Sequence, residues 1–406
     1  MKVRTLNHLL ALCAIVLTIS MVIYPEPAYT AAIRGLKLWW DIVFPALLPF
    51  FIGSEILMGL GVVHGMGVLL EPLMRPLFNV PGTGSFVMAM GLASGYPIGS
   101  VLTSKLRRAQ MCSKHEAERL MSFTNTADPL FMSGAVAVGM FKLPEVAPVI
   151  MIAHYLSSLS VGLLLRFYAP RAEIVHSSAG RKGFILSRAV AEMSRAREKD
   201  GRRIGQLLGD AVRNSMNTQF LIGGCIILFS VVIRVLDIMG AVAVISWIFS
   251  LLLSPFSIHP NLVAAMVGGM FEITIGTEMA ATAEAVLNQR VVMASAIIAW
   301  SGLSVHAQVA SIKQGTDISM GPYVISRLAH AVLAALYTAI LMGPASPVIY
   351  VLTRPVRTTI EAMSVITWVG RLGFSLMCFG YVTGGLIVAG ILTAVFRKGK
   401  VIVIRR

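Results

Sequence analysis

Long apolar runs separated by short polar stretches recur along the whole chain. Several are long enough to cross a bilayer as a helix, which takes about 20 residues. Length and apolar continuity predict eight spanning segments: 6–23, 40–62, 119–141, 146–166, 217–237, 292–311, 326–344 and 371–396. Two further apolar stretches, 84–104 and 261–287, carry polar and helix-breaking residues in their middles. The first contains GLASGYPIGS, residues 91–100. In lipid every backbone N–H and C=O must find a partner inside the protein, so a broken helix at that depth belongs where it is buried or lines a polar cavity. Pro97 removes a donor and biases Tyr96 away from helix. The pattern predicts a re-entrant hairpin that enters from 84, turns at Gly95–Gly99 and returns to Lys105. The second stretch is predicted to turn near FEITIGTE, 271–278. In LLEPLMRPLFNVPG, 69–82, apolar pairs alternate with Glu71, Pro72, Arg75 and Pro76. That spacing suits a helix lying in the membrane interface.

The two halves of the chain resemble each other. Phe50, Ile52, Gly53 and Ile56 match Phe220, Ile222, Gly223 and Ile226 at a constant offset. Seven residues of insertion later, Gly91, Ile98 and Gly99 match Gly268, Ile275 and Gly276, and FTNTADPLF from Phe123 faces WSGLSVHAQ from Trp300. Each half then holds a spanning helix, a hairpin and two more spanning helices. Three crossings is an odd number, so the second half enters from the opposite side, an inverted repeat. The expected organisation is an N-terminal helix and loop (1–38), a first repeat (39–166), a basic linker (167–215), a second repeat (216–344), and a C-terminal helix with a basic tail (345–406). The expected fold class is an all-α polytopic membrane protein with about eight spanning helices plus two re-entrant hairpins.

Composition and charge agree with this reading. The 406 residues are 56% hydrophobic and 13% charged, against about a quarter charged in a soluble domain. With the hairpins returning to their own side, 26 of the 34 Lys and Arg fall on the side of the N-terminus and eight on the other. The positive-inside rule makes the first side cytoplasmic, with both termini there. The net charge of +15 is then a topology signal and an affinity for anionic lipid headgroups, and it calls for no nucleic acid. YPEPAYT follows the first apolar run without a small-residue cleavage site, so that run is expected to stay as a helix. Cys13, Cys112, Cys225 and Cys378 are scattered through apolar segments and show no metal spacing.

The sequence carries no P-loop, HExxH or GxSxG pattern, and no catalytic constellation or metal set is expected. Polar groups at membrane depth are costly and mark pathways or partners. Four clusters stand out: Ser94, Gly95, Tyr96, Pro97, Gly99 and Ser100 at the first hairpin; Asn125, Thr126 and Asp128 before Pro129; Glu272, Thr274, Thr277 and Glu278 at the second hairpin; and Ser301, Ser304, His306 and Gln308 in the matching broken helix. They are expected to converge on one polar site. The plainer reading is hydrogen-bond glue between helices, worth about 1 kcal/mol each. Glu55, His154 and His330 fit a core role and an ion-handling role alike.

PFFIGSEILMGLG, EPLMRPLFNVPG, GLASGYPIGS and TNTADPLFMSGAVAVGMF resemble the YlbJ-type sporulation integral membrane proteins, which carry nucleoside-recognition ("gate") domains. The likeness covers roughly residues 5–395. The order of interfacial helix, hairpin and broken helix is also similar to the architecture of concentrative nucleoside transporters. The family resemblance implies a role in endospore formation, in the mother cell or the membrane around the forespore. It also implies movement of dipicolinate toward the spore and a part in cortex maturation. A small dianion would be held by half-helix N-termini and by hydroxyls or amides such as Ser94, Ser100, Asn125, Thr126 and Ser304, because the expected core holds almost no Arg or Lys. Glu272, Glu278 and Asp128 would oppose it unless protonated, paired or holding a cation. No cofactor is expected, and the coupling ion is left open between H+ and Na+. The alternatives are a nucleoside or nucleobase carrier, and a non-transporting scaffold that recruits other sporulation membrane proteins through loop 166–215. The expected partners are the bilayer and a small anionic solute, with a second copy of the chain left open.

Overall fold

The computed structural model describes residues 2–169, 184–344 and 346, and these are helical with connecting turns. The expected last span, 371–396, and the C-terminal segment after it lie outside the described residues. Among the described residues, five helices are long and apolar enough to cross a membrane: Pro25–Gly59, Pro144–Leu165, Ile204–Ile238, Leu287–Ile312 and Met320–Met342.

The chain opens with α1 (Lys2–Ile23), α2 (Pro25–Leu38) and α3 (Phe44–Gly59). A π-helical turn, Trp39–Val43, joins α2 to α3, so the stretch expected to be a loop before residue 40 is helix instead. The physical reason lies in the prolines. Pro45 has no N–H to continue the ladder, and the Phe44 N–H reaches back to the Trp39 carbonyl across a wider turn. Next come α4 (Val62–Leu73), the first hairpin α5 (Gly84–Ser94) and α6 (Ile98–Arg108), then α7 (Lys114–Thr124). Ser113 caps α7 through a capping box with Glu116. The expected span 119–141 is two pieces. α7 ends at Thr124, residues 125–128 are non-helical, and a π-helix runs Phe131–Met140 after Pro129. α8 (Ala147–Leu165) closes the first unit.

The linker is more ordered than a solvated loop. Its helix α9 (Ile185–Asp200) lies against α4, where Gly65 meets the Ala189 backbone and Arg188 pairs with Glu71 at 2.6 Å. The following helix, α10 (Ile204–Ile238), begins within the stretch assigned to the linker. The second unit continues with α11 (Ala241–Leu253), α12 (Pro260–Phe271), α13 (Ile273–Thr282), α14 (Leu287–Trp300), α15 (Gly302–Ile312) and α16 (Met320–Met342).

The order long helix, short helix, hairpin, broken helix, long helix therefore occurs twice. The packing repeats it. α13 lies on the π-helix as α6 lies on α15, and α7 packs on α16 as α14 packs on α8. The main core gathers α3, the π-helix, α8, α10, α12, α13 and α14 around Leu47, Met132, Ile150, Ile226, Leu262, Ile275 and Ile298. The chain breaks lie inside this double bundle, where lipid cannot reach their backbone.

Candidate functional site

Each hairpin leans on the broken helix of its own unit. In the first, Gly95 adopts φ 73, which glycine accepts without strain. A Cβ there would lie 2.7 Å from Asp128 Oδ2. Gly91 and Gly99, on opposite arms, both press on the Thr124 carbonyl, and a Cβ at Gly99 would stand 2.6 Å from that oxygen. The Thr126 hydroxyl donates to the Gly91 carbonyl at 3.1 Å. In the second unit, Ser301 and Gly302 are both left-handed, at φ 73 and 76. Gly302 seats against Phe271, Glu272 and Ile273. The two contacts are equivalents across the repeat.

The freed backbone groups are met by side chains. Asp128 Oδ1 accepts from the Leu130 and Phe131 N–H groups at 3.0 and 2.8 Å. Glu272 Oε2 accepts from Thr274 and Ile275 at 2.6 and 2.9 Å. Both acids thus sit at the N-terminus of a half-helix, where the peptide dipoles favour negative charge. The Ala127 N–H donates to His154 Nε2 at 3.1 Å, and the Tyr155 hydroxyl lies 3.3 and 3.2 Å from the Leu92 and Ala127 carbonyls. His330 donates from Nε2 to the His154 carbonyl at 2.9 Å, with the two imidazoles 4.6 Å apart.

Arg327 of α16 is fully buried. Its Nη1 donates to the Asn125 carbonyl at 2.8 Å, to the Tyr96 hydroxyl at 3.3 Å and, at the limit, to the Ala299 carbonyl at 3.5 Å. Its Nη2 donates to the Ser122 carbonyl. Charge counting along the sequence placed Arg327 among the cytoplasmic-side cations. The structure folds it into the bundle, an arginine in a core expected to hold almost no Arg or Lys. At the head of an apolar run, an Arg on the membrane surface and one folded inward read alike. Asn125 Nδ2 donates to the Tyr323 hydroxyl at 2.8 Å, and the Tyr96 hydroxyl donates to the Ile298 carbonyl at 3.1 Å. The first unit is tied to the second through these bonds.

A cavity of about 70 Å³ lies where the breaks meet, walled by Tyr96 and Asp128 of the first unit and Glu272, Thr274, Ser304 and Gln308 of the second, with Phe51 and Cys225 from α3 and α10. At ~15 Å³ per water this holds about five waters. Ser100 Oγ, Asn125 Oδ1, Ser304 Oγ and His306 Nε2 are buried without a protein partner, and of these Ser304 lines the cavity. Ser94, Gly95, Pro97, Gly99, Ser100, Asn125, Thr126, Ser301 and His306, expected at the same site, are not among its lining residues. Thr277 is committed to the Ile273 carbonyl at 2.6 Å. Glu278 is elsewhere: it pairs with Arg34 at 2.8 Å in a separate cavity of about 520 Å³ between α2 and α10–α13. Glu55 also lies apart, 3.4 Å from Asn214 Nδ2 on an exposed face.

These features define a polytopic helical membrane protein of two like units, whose hairpins and broken helices line one small cavity with polar groups set among apolar ones. The Gate family, described as nucleoside recognition, matches residues 41–174. The chain is 43% identical over 347 residues, 84% of either sequence, to the sporulation integral membrane protein YlbJ of Bacillus subtilis (strain 168). The chain belongs to the YlbJ family of sporulation integral membrane proteins. A solved structure of CNTnw in an inward-facing, substrate-bound state aligns with 81% of this chain and 86% of its own, at 16% identity and a TM-score of 0.39.

Proposed function

We propose that the protein is a secondary carrier acting in endospore formation, and that it moves dipicolinate, a small dicarboxylate, toward the forespore to support spore and cortex maturation. The observation that carries this reading is one cavity lined by both hairpins and both broken helices of the two like units. Discontinuous helices around a midplane site are how repeat-built carriers hold a solute and alternate its access. A scaffold needs no such cavity, and the α9 segment of the linker is already docked on α4 of its own chain.

Charge then constrains the solute and its coupling. Asp128 and Glu272 face the cavity and oppose a free dianion. In this reading they take up H+ or Na+ together with the solute, and Arg327 behind Tyr96 supplies the positive charge that the anion needs. The nucleoside reading keeps one specific support: carboxylates and an amide, Gln308, suit sugar hydroxyls, and the matching family is described as nucleoside recognition.

The test is the dipicolinate content of spores from a strain lacking the gene, complemented with wild type or Asn125→Ala. The expected result is depleted spores, normal synthesis in the mother cell, rescue by wild type and no rescue by the variant. Normal dipicolinate in the deletion strain would overturn the assignment.

A further inference from the structure

Resting on the carrier reading, we propose that Arg327 is the specificity residue that reads the negative charge of the solute, and that an incoming carboxylate reaches it by displacing the Tyr96 hydroxyl. The guanidinium is fully buried at membrane depth, and arginine keeps its charge there. Among the described residues no carboxylate pairs with it. Its partners are the carbonyls of Ser122 and Asn125 where α7 ends, that of Ala299 where α14 ends, and the Tyr96 hydroxyl. Helix C-termini carry partial negative charge, which offsets a full positive charge only in part. Nε has no acceptor although it is buried.

A purely structural role is a weak match for these facts. Neutral donors could satisfy three carbonyls without the cost of an arginine in the bundle. The Tyr323 ring lies 5.6 Å from the guanidinium carbon, but among the described residues Tyr96 is the side chain that accepts a hydrogen bond from it, and that bond to Nη1, at 3.3 Å, is longer than the 2.8 Å bond to the Asn125 carbonyl. The same tyrosine forms part of the cavity wall, so it stands between the arginine and the solute. A carboxylate is a stronger and bidentate-capable acceptor for this fork. The exchange also suggests how binding is felt by both units, since Arg327 holds the ends of both broken helices and the Tyr96 hydroxyl holds the Ile298 carbonyl.

The experiment measures uptake by the purified full chain in proteoliposomes, with dipicolinate as the dianion and its uncharged diamide as competitor. Arg327→Gln is expected to raise the KM for dipicolinate at least about tenfold, the value of a lost charge-assisted bond, while the diamide competes as well as or better than before. Arg327→Lys should recover part of the loss. Tyr96→Phe removes the group that the anion displaces, and should shift preference toward dipicolinate over the diamide. An unchanged preference in both Arg327→Gln and Tyr96→Phe would overturn the proposal while leaving the carrier reading intact. If Arg327→Gln does not reach the membrane, an unchanged preference in Tyr96→Phe alone overturns it. Failure of the wild type to take up dipicolinate would instead overturn the reading beneath it.

Discussion

Gly99→Ala puts the packing of the first hairpin to a quantitative test. A Cβ at this position would stand 2.6 Å from the Thr124 carbonyl oxygen, 2.8 Å from its carbon and 2.9 Å from the Asn125 nitrogen. All three are backbone atoms at the break of the first unit, so no side chain can turn away to make room. Ordinary contact needs about 3.4 Å or more, and α6 or the break must move by roughly 0.5–1 Å, an overpacking cost of about 1–3 kcal/mol. Gly53→Ala is the control. Gly53 is also helical, nothing lies within 4 Å of its added Cβ, and alanine there gains about 0.5–1 kcal/mol. The helical gain is common to both sites, so the pair should differ by the overpacking cost alone, about 1–3 kcal/mol. At roughly 2–4 °C per kcal/mol for a cooperative unit of 150–250 residues, that separates their thermal midpoints by about 2–12 °C. The assay is thermal unfolding of the purified proteins in one detergent. Equal midpoints, or a Gly99→Ala protein as stable as wild type, would refute the contact between the hairpin and the broken helix.

Three further outcomes follow from the same geometry. His154→Leu removes the acceptor of the Ala127 N–H and should cost about 1–3 kcal/mol for a buried donor left unmet, read as a lower midpoint, whereas His154→Gln keeps an acceptor and should lose less. Arg107 grips Asp317 through two bonds of 2.8 and 2.9 Å, and that grip holds the Asp317 carboxyl below the ordinary carboxylate range. A depressed acid stabilises the fold above its unfolded value, about 3.9, and the gain is lost as pH falls through its folded value. Asp317→Asn should therefore lower stability at neutral pH by no more than about 1 kcal/mol, because the carboxylate is half exposed, and converge with wild type as pH falls below the ordinary carboxylate range in a midpoint-against-pH series. Reversing the Arg188–Glu71 pair on one side, as Arg188→Glu, should loosen α9 from α4 and speed amide exchange in α9, and the double reversal with Glu71→Arg should restore it.

The legibility of the fold in the sequence follows from where breaks leave chemical marks. Gly95–Tyr96–Pro97 announces the first hairpin because proline and glycine act on the backbone itself, and Asn125–Pro129 marks the first broken helix for the same reason. The second unit breaks at Glu272 and Ser301, where one acid in an apolar run and a left-handed serine are the signals, and periodicity alone passes over both. The short helix α11 was missed because its thirteen residues are too few to span. Its place in the order is filled only when α4 is seen to have the same neighbours. Arg327 was invisible as a site residue because sequence fixes its charge and not the direction in which α16 turns it. Glu278 was misplaced by proximity. It follows Glu272 on α13, but six residues along a helix carried it away from the central cavity to Arg34.

Uptake of labelled dipicolinate by the purified wild type in proteoliposomes, beside Asp128→Asn and Glu272→Gln, tests the central claim most directly. The two acids come from different units and share one cavity. The account predicts uptake by the wild type and its loss in each variant, with both variants folded and inserted. No uptake by the wild type, or full uptake when one of the two acids is neutralised, would contradict a single site built from both repeats.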